Sequence, residues 1–229
     1  MPLAGISEME SIMNSEEIVK QVLQNVANFN IDDIPNIDLY MDQVTTYLSD
    51  KFRAAKRHED DKLMTKTMIN NYAKSRLLPS PEKKKYTKDH IMVLILIYFY
   101  KNILSINDVT KLLTPLLDKH FHNDDMPLEE IINTFLDYTH ECDLPNFITK
   151  EANESIKIFD GMDIDDKDYI RTLGLISMLS YDIFVKKMLI EKLIDSLPDS
   201  NSAEKENEKD KKTKDKNKSE KKSDTNEDK

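Results

Sequence analysis

Apolar residues recur at helical spacing through most of this chain. Ile18, Val19, Val22, Leu23 and Val26 follow a cap at Asn14 or Ser15, and Glu16 and Glu17 sit where a helix dipole favours acid. They predict a helix to about Asn28, then a linker over Asn30–Asn36 with Pro35. Leu39, Val44, Tyr47 and Leu48 predict the next helix, Leu39–Phe52, and the charged stretch Arg53–Asp61 reads as loop. Thr65 caps a third helix, Lys66–Arg76. At about 100° per residue, Lys66, Thr67, Asn70, Asn71 and Lys74 take one face and Met68, Ile69, Tyr72 and Ala73 the other. Pro79 stops it, because proline disfavours helical geometry in the residue before.

Pro79-Ser80-Pro81 and Lys83-Lys84-Lys85 predict a short basic loop or wing, and Thr87 an N-cap. Ile91–Tyr100 is apolar on every side; its charged, helix-compatible flanks make it a buried helix rather than a strand. Ser105 with Asp108 has capping-box spacing, and Ile106, Val109, Leu112 and Leu113 form the stripe of the helix that follows. Pro115 is expected to kink or end that helix. Further helices are expected from Pro127 to about Glu141, over Thr149–Phe159, and from about Asp168 to Leu197, with an acidic turn at Asp163–Asp168. In the last helix Ile176, Ile183 and Ile190 recur every seven residues with Leu179 and Leu193 between them, and Lys186 interrupts the seam.

Composition adds little to that all-α picture except at the ends. From Asp199 the only apolar side chain is Ala203, so the segment cannot offset its ordering entropy and is expected to be a disordered charged tail. The organisation is therefore residues 1–36 as a helix and linker, 37–125 and 126–198 as two helical regions, the second acidic, and 199–229 as tail. The longest apolar run is far short of the roughly 20 residues that span a bilayer, and no export signal precedes it. One cysteine, Cys142, excludes an internal disulfide framework. A cytoplasmic protein without membrane contact is expected.

Charge changes the picture more. The chain carries a formal −10, yet residues 51–90 hold twelve Lys/Arg against five Asp/Glu, a net +7. A partner feels the charge within a Debye length, roughly 8 Å at physiological salt, so local excess outweighs the global sum. Asparagine pairs bidentately with adenine and lysine meets phosphate or guanine, so the polar face of the third helix suits duplex DNA. A solvated helix surface is the plainer alternative.

Catalytic signatures are absent: no phosphate-cradling glycine loop, nucleophile elbow or zincin motif appears, so no enzyme and no cofactor are expected. His120, His122, Asp124, Asp125, His140 and Cys142 carry metal-ligating atoms, but their spacing fits no zinc pattern and no metal is expected.

Met68 through Pro79 resembles the recognition helix and exit of MerR-type regulators, where an Arg-Tyr-Tyr run leads to Gly-Leu-Leu-Pro; here Asn70 stands for the Arg, Asn71 for a Tyr and Arg76 for the Gly. Tyr86-Thr87-Lys88-Asp89-His90-Ile91 is similar to the family's segment after the wing, and Leu104–Leu113 to its Leu-Ser-x-x-Glu-Ile-x-x-Leu-Leu. Residues 39–125 as a whole resemble an uncharacterised bacterial family, the domain of unknown function numbered 1836. The resemblance implies a winged helix-turn-helix at 37–125 that binds double-stranded DNA as a homodimer and regulates transcription, its effector unknown, with the last helix as dimer element. Lys66, Thr67, Asn70, Asn71, Lys74, Arg76, Lys83, Lys84 and Lys85 are the candidate DNA-binding residues. The alternative is an interaction module that kept the frame without binding DNA.

Overall fold

The computed structural model describes residues 15–26, 31–158, 161 and 167–198. Its centre is one helix, α4 (Lys88–Lys101), in which every residue from His90 to Tyr98 is buried. A helix apolar on all faces lacks a solvent side, so other elements must enclose it. Enclosure comes from α2 (Met41–Lys51) through Val44 and Leu48, α3 (Lys66–Lys74) through Ile69 and Tyr72, and α5 (Ile106–His120) through Val109, Leu113 and Leu117. Leu128 and Ile132 of α6 (Leu128–Glu141) and Ile194 of α8 (Lys167–Asp195) join the same core. Phe52 stacks on Tyr98 with ring centroids 3.9 Å apart. Lys101 donates 2.8 Å to the Leu63 carbonyl, and its partial burial lowers its pKa. Outside this core, α1 (Ser15–Val26) lies on α7 (Leu144–Lys157), and α7 on α8.

Helix dominates as expected of an all-α fold, and the chain adds one short two-stranded antiparallel ribbon. Strand β1 (Leu39–Tyr40) pairs with β2 (Lys85–Tyr86), Leu39 opposite Tyr86 and Tyr40 opposite Lys85. The helix expected from Leu39 therefore starts at Met41, where Gln43 Oε1 accepts the Tyr40 N–H at 2.8 Å. The loop after it contains a single 3-10 turn, Arg53–Ala55, and closes on Asp61, whose carboxylate accepts the Arg57 and His58 N–H groups at 2.9 and 3.0 Å. Those two bonds are what hold the Asp61 carboxyl below its usual pKa.

Three further boundaries differ. Of the two outcomes expected at Pro115, an end is overturned: α5 runs through it, because Leu113 and Leu117 on either side are buried against the core and outweigh the missing backbone bond. α7 begins five residues early, at Leu144, with Asp143 at the cap and Pro145 in the first turn, a position proline tolerates. α3 ends at Lys74 rather than Arg76. Residues 1–14, 27–30 and most of the Asp163–Asp168 turn lie outside the described residues, as does the tail from 199 with its expected disorder. Among the described residues no helix is long and apolar enough to cross a membrane.

Replacing Leu94, fully buried at the centre of α4, by alanine is expected to cost about 2–5 kcal/mol in urea unfolding of the full chain. A loss under about 1 kcal/mol would show that α4 does not organise the core.

Candidate nucleic-acid interface

Helix α3 is set by its ends. Thr65 Oγ1 accepts the Met68 N–H at 3.2 Å and starts it. At the other end the Leu77 N–H reaches the Tyr72 carbonyl at 3.0 Å and the Arg76 N–H reaches Ala73 at 3.2 Å. This is a Schellman closure, and it puts Arg76 in the left-handed position at φ 61°. The sequence places arginine where such a closure favours glycine. Leu77 and Tyr72, the two positions whose apolar contact ordinarily accompanies such a closure, are both buried. The inner face is thus fixed, and Lys66, Thr67, Asn70, Asn71, Lys74 and Arg76 all lie exposed.

Nine residues beyond Lys74 the chain makes a tight turn. The Lys85 N–H donates 2.8 Å to the Glu82 carbonyl, and both central residues, Lys83 at φ 49° and Lys84 at φ 62°, are left-handed. Positive φ at both central positions defines a type I′ hairpin turn, which ordinarily takes Asn-Gly. Lys83 and Lys84 are exposed; Lys85 is half-buried where its strand meets Tyr40.

The turn leads into a polar cluster that joins α4 to the end of α5. His90 is 1 % exposed, and its Nδ1 accepts the Thr87 N–H at 3.1 Å, so its proton sits on Nε2. The Thr87 hydroxyl lies 2.8 Å from the same Nδ1 and 2.9 Å from His122 Nε2, and the His122 N–H donates 2.8 Å to Asp89. Phe121 meets the His90 ring edge-on at 4.9 Å and Tyr86 at 5.6 Å. Burial, helped by the nearby His122, pushes the His90 pKa down to about 4. Sequence reasoning found the Thr87 cap and missed its partner. The Thr-x-x-His spacing was the available signal, since it is a capping box with histidine in place of Glu.

Ion pairs redistribute the basic island. Lys51 pairs with Asp33, Arg53 with Asp50, Lys66 with Asp42 and Lys88 with Glu129, so four of its twelve cations answer acids that lie outside residues 51–90. Lys74, Arg76, Lys83, Lys84 and Lys85 enter no ion pair among the described residues. Lys56, Arg57 and Lys62 of the loop before α3 enter none either, so the unpaired charge lies in that loop, at the exit of α3 and on the turn, and Lys66 is tied to α2. Behind the exit an open pocket of about 340 Å³ separates Arg76, Leu78 and Pro79 from Leu117 and Asp118 of α5 and Phe121 just after it. Of the candidate metal ligands, His122 is engaged as above and His120 Nδ1 faces the Met126 carbonyl at 3.2 Å. Among the described residues no three His, Cys, Asp or Glu side chains come together at one point.

Comparison with known proteins relates this arrangement to an uncharacterised family. Residues 29–135 match the model of a family described as Domain of unknown function (DUF1836). The matched segment is a little under half of the chain and includes both strands, α2 to α5 and the first turns of α6. Neither the curated proteins nor the solved structures returned a match.

His90 sets a pH dependence. Its native pKa lies below the unfolded value of 6.5, so its share of stability is complete above about pH 6.5 and is lost as pH falls towards 4. Denaturation midpoints between about pH 4 and 7 should show this slope. His90→Gln keeps an acceptor at the capping-box position and removes the titration, so its slope should flatten; an unchanged slope assigns the effect elsewhere.

Proposed function

We propose that residues 37–125 form a MerR-like winged helix-turn-helix that binds double-stranded DNA, as part of a non-catalytic transcriptional regulator. α3 enters the major groove with Asn70 and Asn71 toward base edges, and Thr67, Lys74 and Arg76 beside them. The Lys83-Lys84 turn is the wing and grips backbone phosphate, with Lys85 at its base.

The supporting observation is the backbone under the cations. The left-handed residues among those described are Arg76, Lys83, Lys84 and His122, and none is glycine or asparagine. Left-handed geometry costs a residue with a Cβ roughly 1–2 kcal/mol. Three of the four, Arg76, Lys83 and Lys84, are cations that enter no ion pair among the described residues. Strain held at exposed surface positions is a mark of function, and positive charge is the chemistry these positions share. A phosphate backbone is the partner that rewards it.

The second reading, an interaction module without DNA, draws on Lys66 being held by Asp42 and on Asn70 standing where the MerR pattern has arginine.

Lys83→Asn with Lys84→Gly separates the two. The pair should raise stability by about 1 kcal/mol, because Asn-Gly suits the turn. It should also weaken binding of the full chain to A/T-rich duplexes, read by fluorescence anisotropy, and reduce the salt slope by about 0.9 for each phosphate no longer neutralised. No binding by the wild type at low salt, a flat salt response, or undiminished affinity in the variant refutes the DNA reading. Arg76→Gly should likewise stabilise the fold, by up to about 1 kcal/mol, while weakening binding.

A further inference from the structure

We propose that the pocket between the exit of α3 and the end of α5 binds a small zwitterion with an apolar body, the class being a free α-amino acid with an apolar side chain. Binding there needs no DNA, so it stands or falls separately from the reading above.

The pocket has two walls of opposite chemistry. Thr114, Leu117 and Asp118 of α5, with Phe121 just after it, form one wall. Their spacing of three and four residues puts them on one face of the helix. The polar atoms of this wall accept. Asp118 is an exposed carboxylate. The Thr114 hydroxyl already donates to the Thr110 carbonyl at 2.7 Å, which leaves its lone pairs for a ligand. The other wall comes from the end of α3 and the segment after it, and its polar side chains donate. Arg76 offers a fixed fork of N–H groups, and the exposed Ser80 hydroxyl offers one donor more.

Arg76 and Asp118 line the same space, yet they pair neither with each other nor with another described residue. A ligand with one charge is drawn by one of them and opposed by the other. A ligand with both signs satisfies both. Its carboxylate takes the guanidinium fork through two parallel bonds, and its ammonium donates to Asp118 and Thr114.

The remaining lining is apolar and sets the rest of the ligand. Leu78 and Leu117 are buried and Phe121 is half-buried, so the body that meets them is hydrocarbon or aromatic. The volume of about 340 Å³ is at the foot of the roughly 300–1,000 Å³ range of small-molecule sites. That is a size for an amino acid rather than a nucleotide.

Isothermal titration calorimetry of the full chain without DNA tests this, with L-leucine and L-phenylalanine as probes. Two temperatures are used, because apolar burial changes the heat capacity and heat that vanishes at one temperature returns at the other. At least one probe should bind with a Kd below ~1 mM. The analogues lacking the amine (isocaproate, hydrocinnamate) and those lacking the carboxylate (isoamylamine, phenethylamine) should each bind at least ~10-fold more weakly. In Asp118→Asn the preference for the amino acid over its amine-free analogue should disappear, and in Arg76→Gln its preference over the carboxylate-free amine. A merely structural effect would weaken amino acid and analogue alike and leave the preference standing. Both side chains are exposed, so both variants should keep wild-type helicity. Should Arg76→Gln disturb the end of α3, Asp118→Asn decides alone. No binding of either amino acid at ~10 mM, an analogue that binds as tightly as its amino acid, or a preference that survives Asp118→Asn would overturn the proposal.

Discussion

The full burial of α4 governs the rest of this structure. Its nine consecutive buried residues cannot be satisfied by one neighbouring sheet or helix pair, so elements from across residues 31–194 are recruited round it. That requirement explains the ribbon. The chain must descend from α3, reverse and enter α4 from outside the core, and pairing Lys85–Tyr86 with Leu39–Tyr40 provides hydrogen-bond partners during the reversal. It also explains His90. The first buried position of α4 is the place where the helix start needs an acceptor for the Thr87 N–H, and histidine supplies that acceptor together with an apolar ring face for Phe121.

What the sequence disclosed followed from periodicity and what it hid followed from contact. The amphipathic stripes of α3 and α5 and the all-apolar run of α4 were legible because each repeats within its own segment. The ribbon was not, since Leu39-Tyr40 is two residues long and its extended geometry depends on a partner more than forty residues away. Pro115 misled because proline's local cost is visible and the burial of Leu113 and Leu117 that overrides it is not. The start of α7 was legible in principle: Asp143 followed by Pro145 is a first-turn pattern.

The candidate site was half legible for the same reason. The polar face of α3 was predicted and is exposed as the spacing requires. The net +7 over residues 51–90 overstated the available charge, because a linear window omits acids that folding brings alongside. Asp33, Asp42, Asp50 and Glu129 all lie outside the window and each holds one of its cations. Folding thereby removes four of the twelve cations from the basic island, leaving the loop before α3, the exit of α3 and the turn as its unpaired parts.

That trimming has an electrostatic consequence of its own. A chain at −10 repels a polyanion over most of its surface, and exposed ion pairs such as Lys66–Asp42 contribute little net field at a distance. Lys74, Arg76, Lys83, Lys84 and Lys85 stay outside ion pairs at the exit of α3 and on the turn. Under the proposed function, approach of a duplex is oriented before contact, because the acidic faces oppose it and this one does not. In that proposal the acidic bulk excludes wrong orientations and the strained lysine turn holds charge where the remaining orientation brings phosphate.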